Sequence, residues 1–288
     1  MSTHSSKPLG TVSLEAIEMS DCIVTVGACL PADSALVHAA IQKADTNNNA
    51  YITYMHPIEE ESLRNIVNEF IRYEVGSEEG LLALLAEQVV SPEGQKLFAD
   101  FFESLDMGYL SAESSVGEEE IEALYEKLQV AKQPVLIVGS DVINHDQSKN
   151  IMMIASLIAK YSSLKVVTLS GTDKDESIEL VTKQNKLQEI EEISDLDAYN
   201  GSVIYRCNHK LTKKLDDFFL VGSKQFAIAA KIQDDAMVRF MMDNTQYERK
   251  FKLDDQLKGT IAFNPVFEST EKFDKYRYKQ VHLEVVDV

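Results

Sequence analysis

Apolar residues fall along this chain in two rhythms. Over roughly the first two thirds, short unbroken apolar runs alternate with stretches of helical spacing. Over the last third, apolar and polar positions alternate with period two. Ser13-Leu-Glu-Ala-Ile-Glu18 opens on a capping serine and predicts a short helix after a loose lead-in over 1–12. Cys22–Gly27 is a continuous valine-rich run, the signature of a strand buried on both faces. Asp33 or Ser34 can cap a following helix, with an apolar face of Leu36, Ala39, Ala40 and Ile41. A second strand is expected over Ala50–Met55. Strand, helix, strand in this span makes one βαβ unit and so a parallel sheet.

Helical spacing dominates next. Glu60–Tyr73 places Leu63, Ile66, Val67, Phe70 and Ile71 on one side, and Glu78–Val90 repeats leucine. A further helix follows Pro92 and carries Leu97, Phe98, Phe101 and Phe102. Gly108 and residues 111–116 read as a loop, and Glu118–Ala131 as an amphipathic helix. Pro134–Gly139, a helix over Gln147–Tyr161 and a strand over Lys165–Ser170 repeat the first unit: apolar strand, glycine, polar turn, helix, strand. Residues 173–198 read as a charged helix anchored by Leu180, Val181, Leu187, Ile190 and Ile193. Strands follow at Val203–Cys207, Phe219–Val221, Gln225–Ile232, Met237–Met242, Glu248–Leu253, Gly259–Asn264 and Lys279–Val286. In Val238-Arg-Phe-Met-Met242 the methionines read as core. The expected fold is α/β, with Rossmann-like parallel sheet units over 13–200 and a small, mostly β, antiparallel appendage over 201–288.

The charge narrows the partners. A net charge of -19 argues against nucleic acid and against an anionic membrane surface, because both need concentrated Lys and Arg. The acidic blocks Glu59–Glu61, Glu118–Glu120 and Glu189–Glu192 read as solvated faces or, more sharply, as a docking surface for a basic partner. No apolar run reaches 18 residues, and Met1–Pro8 has no apolar core of a secretory signal, which predicts no direct membrane insertion and a cytoplasmic setting. Cys22, Cys29 and Cys207 are then reduced thiols, too few and too scattered for an iron–sulfur cluster. Cys29, in the glycine turn, is expected to be the more exposed.

The chemistry expected of such a fold is largely missing. Gly27 and Gly139 each end a strand, but neither begins G-x-G-x-x-G, and no phosphate-binding loop motif or serine elbow occurs. His4, His38, His56, His145, His209 and His282 are scattered without metal-ligand spacing. His56 and His145 fall at strand ends, where open α/β sheets bind ligands. Asp173 and Asp175 read as caps. The residues converging on a degenerate cleft would be Gly27, Cys29, His56, Gly139 and Asp141. No catalytic set and no metal site are expected.

Taken together, the units carry a resemblance. Ser13–Gly27, then Pro31, Ile41-Gln-Lys-Ala44, Tyr54-Met-His-Pro57, Gly76-Ser-Glu-Glu-Gly-Leu-Leu-Ala-Leu-Leu-Ala86 and Lys132–Gly139 follow in the order seen in the molybdopterin oxidoreductase superfamily, over roughly residues 10–170. In that family the first strand ends in Gly-x-Asn-Pro and a later one in Asp-Pro-Arg. Here the corresponding positions are Leu30-Pro31 and His56-Pro57-Ile58, so an amide, an acid and a guanidinium that help hold the pterin dinucleotide are absent. The cofactor-bearing Cys, selenocysteine or Ser has no counterpart. One branch of the superfamily lost the cofactor: the large iron–sulfur subunit of bacterial respiratory complex I, an NADH:quinone oxidoreductase. Phe251–Pro265 and Tyr276–Glu284 resemble the tail of its epsilonproteobacterial form. The resemblance implies a scaffold segment without a cofactor of its own. Iron–sulfur clusters would lie in N-terminal domains outside it. Its partners would be subunits of the peripheral arm, on the cytoplasmic face of the inner membrane. A nucleotide- or pterin-binding domain using the Gly27/Gly139 cleft and a free-standing adaptor are the alternatives.

Overall fold

The computed structural model describes residues 9–30, 33–170, 178–181, 189–193, 195–208, 218–267 and 275–286. The chain divides into two compact units, Met1–Leu196 and Asp197–Val288. The change of rhythm in the sequence puts this boundary near 200.

The first unit is built on a six-stranded sheet of β1 (Cys22–Val26), β2 (Tyr51–Met55), β3 (Glu69–Ile71), β4 (Pro134–Val138), β5 (Lys165–Leu169) and β6 (Ile178–Leu180). Their order is β3-β2-β1-β4-β5-β6. The first five run parallel and β6 lies antiparallel to β5. The order reverses between β1 and β4, which makes that junction the topological switch point of the sheet. Every residue of β1 and of β4 is buried, as their unbroken apolar runs require. Val24, Val26, Leu136, Val138 and Val166 point into one core, beneath α3 (Glu78–Val89), α7 (Glu118–Val130) and α9 (Ser148–Tyr161). Ile23, Ile52, Tyr54, Val135 and Ile137 point into the other, beneath α1 (Leu9–Glu18) and α2 (Ala35–Asn48). Each fully buried Val or Ile contributes roughly 1.5–3 kcal/mol relative to exposure, so the two faces together hold the sheet between its helices.

Several elements differ from expectation. Helix α1 begins at Leu9, inside the expected lead-in. Helix α2 buries Val37, Ala40, Ile41 and Ala44, while Leu36 and Ala39 face outward. Glu60–Tyr73 is not a helix: a short 3-10 turn over Glu61–Leu63 gives way to β3, because pairing Thr53–Met55 with Glu69–Ile71 satisfies more backbone than a frayed helix would. The helix after Pro92 breaks at Phe98 (φ -115°, ψ 37°) into α4 (Pro92–Leu97) and α5 (Ala99–Ser104). The loop expected around Gly108 is α6 (Met107–Ser114), capped by Asp106, whose side chain accepts from the Tyr109 amide. A one-turn α8 (Ser140–Ile143) precedes α9. Of the helix expected over 173–198, residues 178–180 form β6 and 189–193 have no regular structure; Asp173, Asp175 and Leu187 lie outside the described residues, as do His4 and His209.

The second unit is a seven-stranded sheet ordered β12-β7-β11-β8-β10-β9-β13. Its strands are β7 (Val203–Asn208), β8 (Phe219–Gly222), β9 (Met237–Met242), β10 (Thr245–Leu253), β11 (Ile261–Phe267), β12 (Tyr278–Gln280) and β13 (Glu284–Val285). Most pairings are antiparallel, but β7 with β11 and β8 with β10 run parallel. The expected strand Gln225–Ile232 is instead α10 (Lys224–Ala230), because the Ser223 hydroxyl caps it by accepting from the Phe226 amide. Its Phe226 packs with Ile204, Leu220, Phe240 and Phe251. Asp243 and Asn244, both at positive φ (50° and 64°), make the two-residue turn between β9 and β10, and Arg206 Nη1 holds Asp243 at 2.7 Å.

Candidate functional site at the switch point

Strand β1 delivers the chain into Gly27 at φ 62°, a conformation that favours glycine. Strand β4 delivers it into Gly139 directly alongside. The Gly139 amide donates to the Val26 carbonyl (2.8 Å) and the Asp141 amide to the Gly27 carbonyl (3.1 Å). A Cβ on Gly139 would overlap the Gly27 carbonyl, and one on Gly27 would lie 2.6 Å from Val142 Cγ2. The two turns therefore pack backbone to backbone, and the place where such folds admit a pyrophosphate is closed.

An acid of the chain itself bridges the two turns. Asp33 Oδ2 accepts from the Cys29 amide (2.9 Å) and from Ser140 Oγ (2.6 Å). Asp33 and Ser140 are buried, and Ser34 rather than Asp33 caps α2, accepting from the Val37 amide. Cys29, expected to be exposed, is 3% exposed and enclosed by this contact. All three cysteines are buried, and burial pushes the Cys22 thiol up to about 11.

Two imidazole–carboxylate pairs flank the turns, the first hydrogen-bonded and the second within ion-pair distance. With the proton on Nε2, His56 accepts at Nδ1 from the Ile58 amide (3.0 Å) and faces Asp141 Oδ2 at 3.3 Å. His145 accepts at Nδ1 from the Gln147 amide (3.0 Å) and faces Glu78 Oε2 at 3.5 Å. In both cases the amide two residues on aims the ring, and in both the side chains are 0–1% exposed. Tyr54 stacks on His56 (centroids 5.5 Å apart) and donates to the Ala28 carbonyl (2.9 Å). Tyr73 donates to Glu78 Oε1 (3.3 Å). Burial first, and neighbouring acids second, raise both phenols well above the ordinary tyrosine value, so both remain donors. Glu79 Oε1 accepts from Asn150 Nδ2 (2.7 Å), and Asn150 Oδ1 accepts from the Glu191 amide (2.8 Å).

All five residues expected at the cleft thus meet at one locus, in a buried polar network rather than an open cleft. The network ties β1, β2 and β4 to α3 and α9. Asp33, Tyr73, Glu78 and Ser140 are not apparent as site residues from sequence position. Glu78 carries one usable signal: it opens a helix whose positions 80–86 are glycine, alanine and leucine on every side, which marks a helix buried all round, its first turn included. The groups are engaged with one another and shielded from water, an arrangement that positions the strand ends. Among the described residues no group of three His, Cys, Asp or Glu is placed to hold a metal ion.

Away from the switch point, beneath the connection from β2 to β3, lies a pocket of about 210 Å³ lined by Tyr54, Glu59, Glu60, Leu63, Arg64, Val67, Asn68 and Phe70. Among the described residues no helix is long and apolar enough to cross a membrane. No protein-family model matches the chain, and no curated protein is significantly similar to it.

Proposed function

We propose that this chain is a cofactor-less scaffold segment of the large iron–sulfur subunit of a proton-pumping NADH (or flavodoxin or ferredoxin):quinone oxidoreductase. In this reading electrons pass through clusters outside the segment. The segment holds neighbouring subunits of the peripheral arm in place on the cytoplasmic face of the inner membrane.

One observation carries the reading. At the switch point Asp33 takes the Cys29 amide and the Ser140 hydroxyl, two donors a phosphate there could use, and Gly27 and Gly139 close on each other. A fold of cofactor-binding layout with its crevice filled by its own acid has the character of a retained framework. The order of the sequence segments supplies the choice of family. The filled crevice also weighs against the nucleotide- or pterin-binding alternative.

The test is the size and company of the native protein. An antibody raised to this segment should detect a chain well beyond 288 residues, co-fractionating with iron–sulfur subunits in solubilised membranes. A free chain of this length, away from those subunits, overturns the proposal.

A further inference from the structure

The pocket beneath the connection from β2 to β3 has a composition that the scaffold reading does not use. Its floor is aromatic: Tyr54 stacks on Phe70 with centroids 6.0 Å apart. Its walls are the apolar side chains of Leu63 and Val67, and its rim carries Glu59 and Glu60. Arg64 also stands on the rim, largely exposed and 3.3 Å from Glu59, so those two charges offset each other. Glu60 Oε1 accepts from the Ser62 amide (3.0 Å), yet among the described residues no cationic side chain pairs with it. Burial, only partly opposed by the charge of Glu60, lowers the pKa of His38, so His38 does not neutralise that carboxylate at neutral pH. The Phe70 ring already accepts one cation: the Arg72 guanidinium lies 5.6 Å from its centroid.

An aromatic floor, apolar walls and an uncompensated carboxylate at the mouth suit one ligand chemistry. That is a long aliphatic stem ending in a cation. The volume admits one side chain, not a helix. The charge of the whole chain, -19, favours approach of a basic protein surface. We infer that this pocket is a docking site for a lysine or arginine side chain of a neighbouring protein subunit, which lies across its mouth with its stem against Leu63 and Val67 and its charge beside Glu60. The source is a protein partner because the proposed scaffold role supplies one; in that respect the inference rests on that role.

The test uses the isolated full chain and N-acetyl-arginine amide as the probe, followed by backbone amide NMR. Expected are saturable, millimolar shifts confined to Glu59–Phe70. Binding should weaken about tenfold for the citrulline amide, which keeps the shape and loses the charge, and about tenfold for Glu60→Gln. Arg64→Ala should strengthen binding, because a like charge leaves the mouth; weaker binding in that variant would mark an anion site and overturn the inference. No shifts up to the solubility limit of the probe, equal binding of citrulline, or shifts elsewhere on the chain would also overturn it. None of these outcomes bears on the size and fractionation of the native chain, so the scaffold proposal and the pocket can fail separately.

Discussion

Two places on one sheet, in neighbouring strands, have opposite characters. At the ends of β1 and β4 the chain is closed: glycines touch, Asp33 takes the Cys29 amide, and two imidazole–carboxylate pairs are sealed from water. Beneath the connection from β2 to β3 it is open, with a pocket of about 210 Å³ whose rim is charged. Only the first lies where parallel sheets usually present ligands, yet it is the one that is filled. Fold alone therefore does not say which is a site. The side chains differ: at the first an acid of the chain meets a backbone amide, and at the second a carboxylate stands beside apolar side chains.

Substitutions should separate the two stretches sharply. Gly139→Ala forces backbone against backbone, so urea unfolding should show a loss of about 4 kcal/mol, or no folded protein. Asp141→Ala strands His56 in a buried setting and should cost about 3 kcal/mol in the same assay. Asp33→Ala should cost about 2 kcal/mol by releasing the Cys29 amide and the Ser140 hydroxyl. It should also confer a gain: phosphate should raise the Tm of this variant and not of the parent, because the donors are again free for an anion. If phosphate stabilises the parent equally, the closed description of the switch point is wrong.

The pH response isolates the buried phenols. Tyr54 and Tyr73 bind their protons more tightly in the folded state than in the unfolded chain. Their contribution to stability is therefore fully present below pH ~10 and is lost as pH rises through the raised values. Tyrosinate absorbance, unobscured because the chain has no tryptophan, should show a late group that includes Tyr54 and Tyr73 and appears only with unfolding. At the open stretch Arg64→Ala should change stability by less than about 0.5 kcal/mol, since exposed pairs contribute little.

Much of the first unit is legible in the sequence because its strands are buried on both faces. Cys22–Val26 and Pro134–Val138 admit no other reading as short valine-rich runs before glycine. Where one pattern serves two elements, tertiary context decides. Leu63, Ile66, Val67, Phe70 and Ile71 suit a helix equally well, but β2 offers an unpaired edge. Gln225–Ile232 alternates like a strand, yet Ser223 starts a helix. Gly108 looks like a breaker, although Asp106 two residues earlier is a competent cap. The site is half legible. Glycines at strand ends and His56 can be named from position, but Asp33 reads as a cap, and its turn toward Cys29 and Ser140 depends on β4 lying beside β1. No local pattern encodes that pairing.

The pairing of β1 with β4 also sets an order of events. The Asp21 carboxylate accepts from the Gln133 amide across a separation of 112 residues, and Cys22 lies in register with Pro134. During synthesis β1, β2 and β3 can associate as they emerge, but the centre of the sheet must wait for α3 to α7 to be made. Contacts of such sequence separation slow folding, since a large loop closes before they reward it. Until then β1 presents an unpaired apolar edge. The first unit thus has a window of vulnerability that ends only when Pro134–Val138 arrives, and its folding rate should respond more to changes in β4 than to changes in β3.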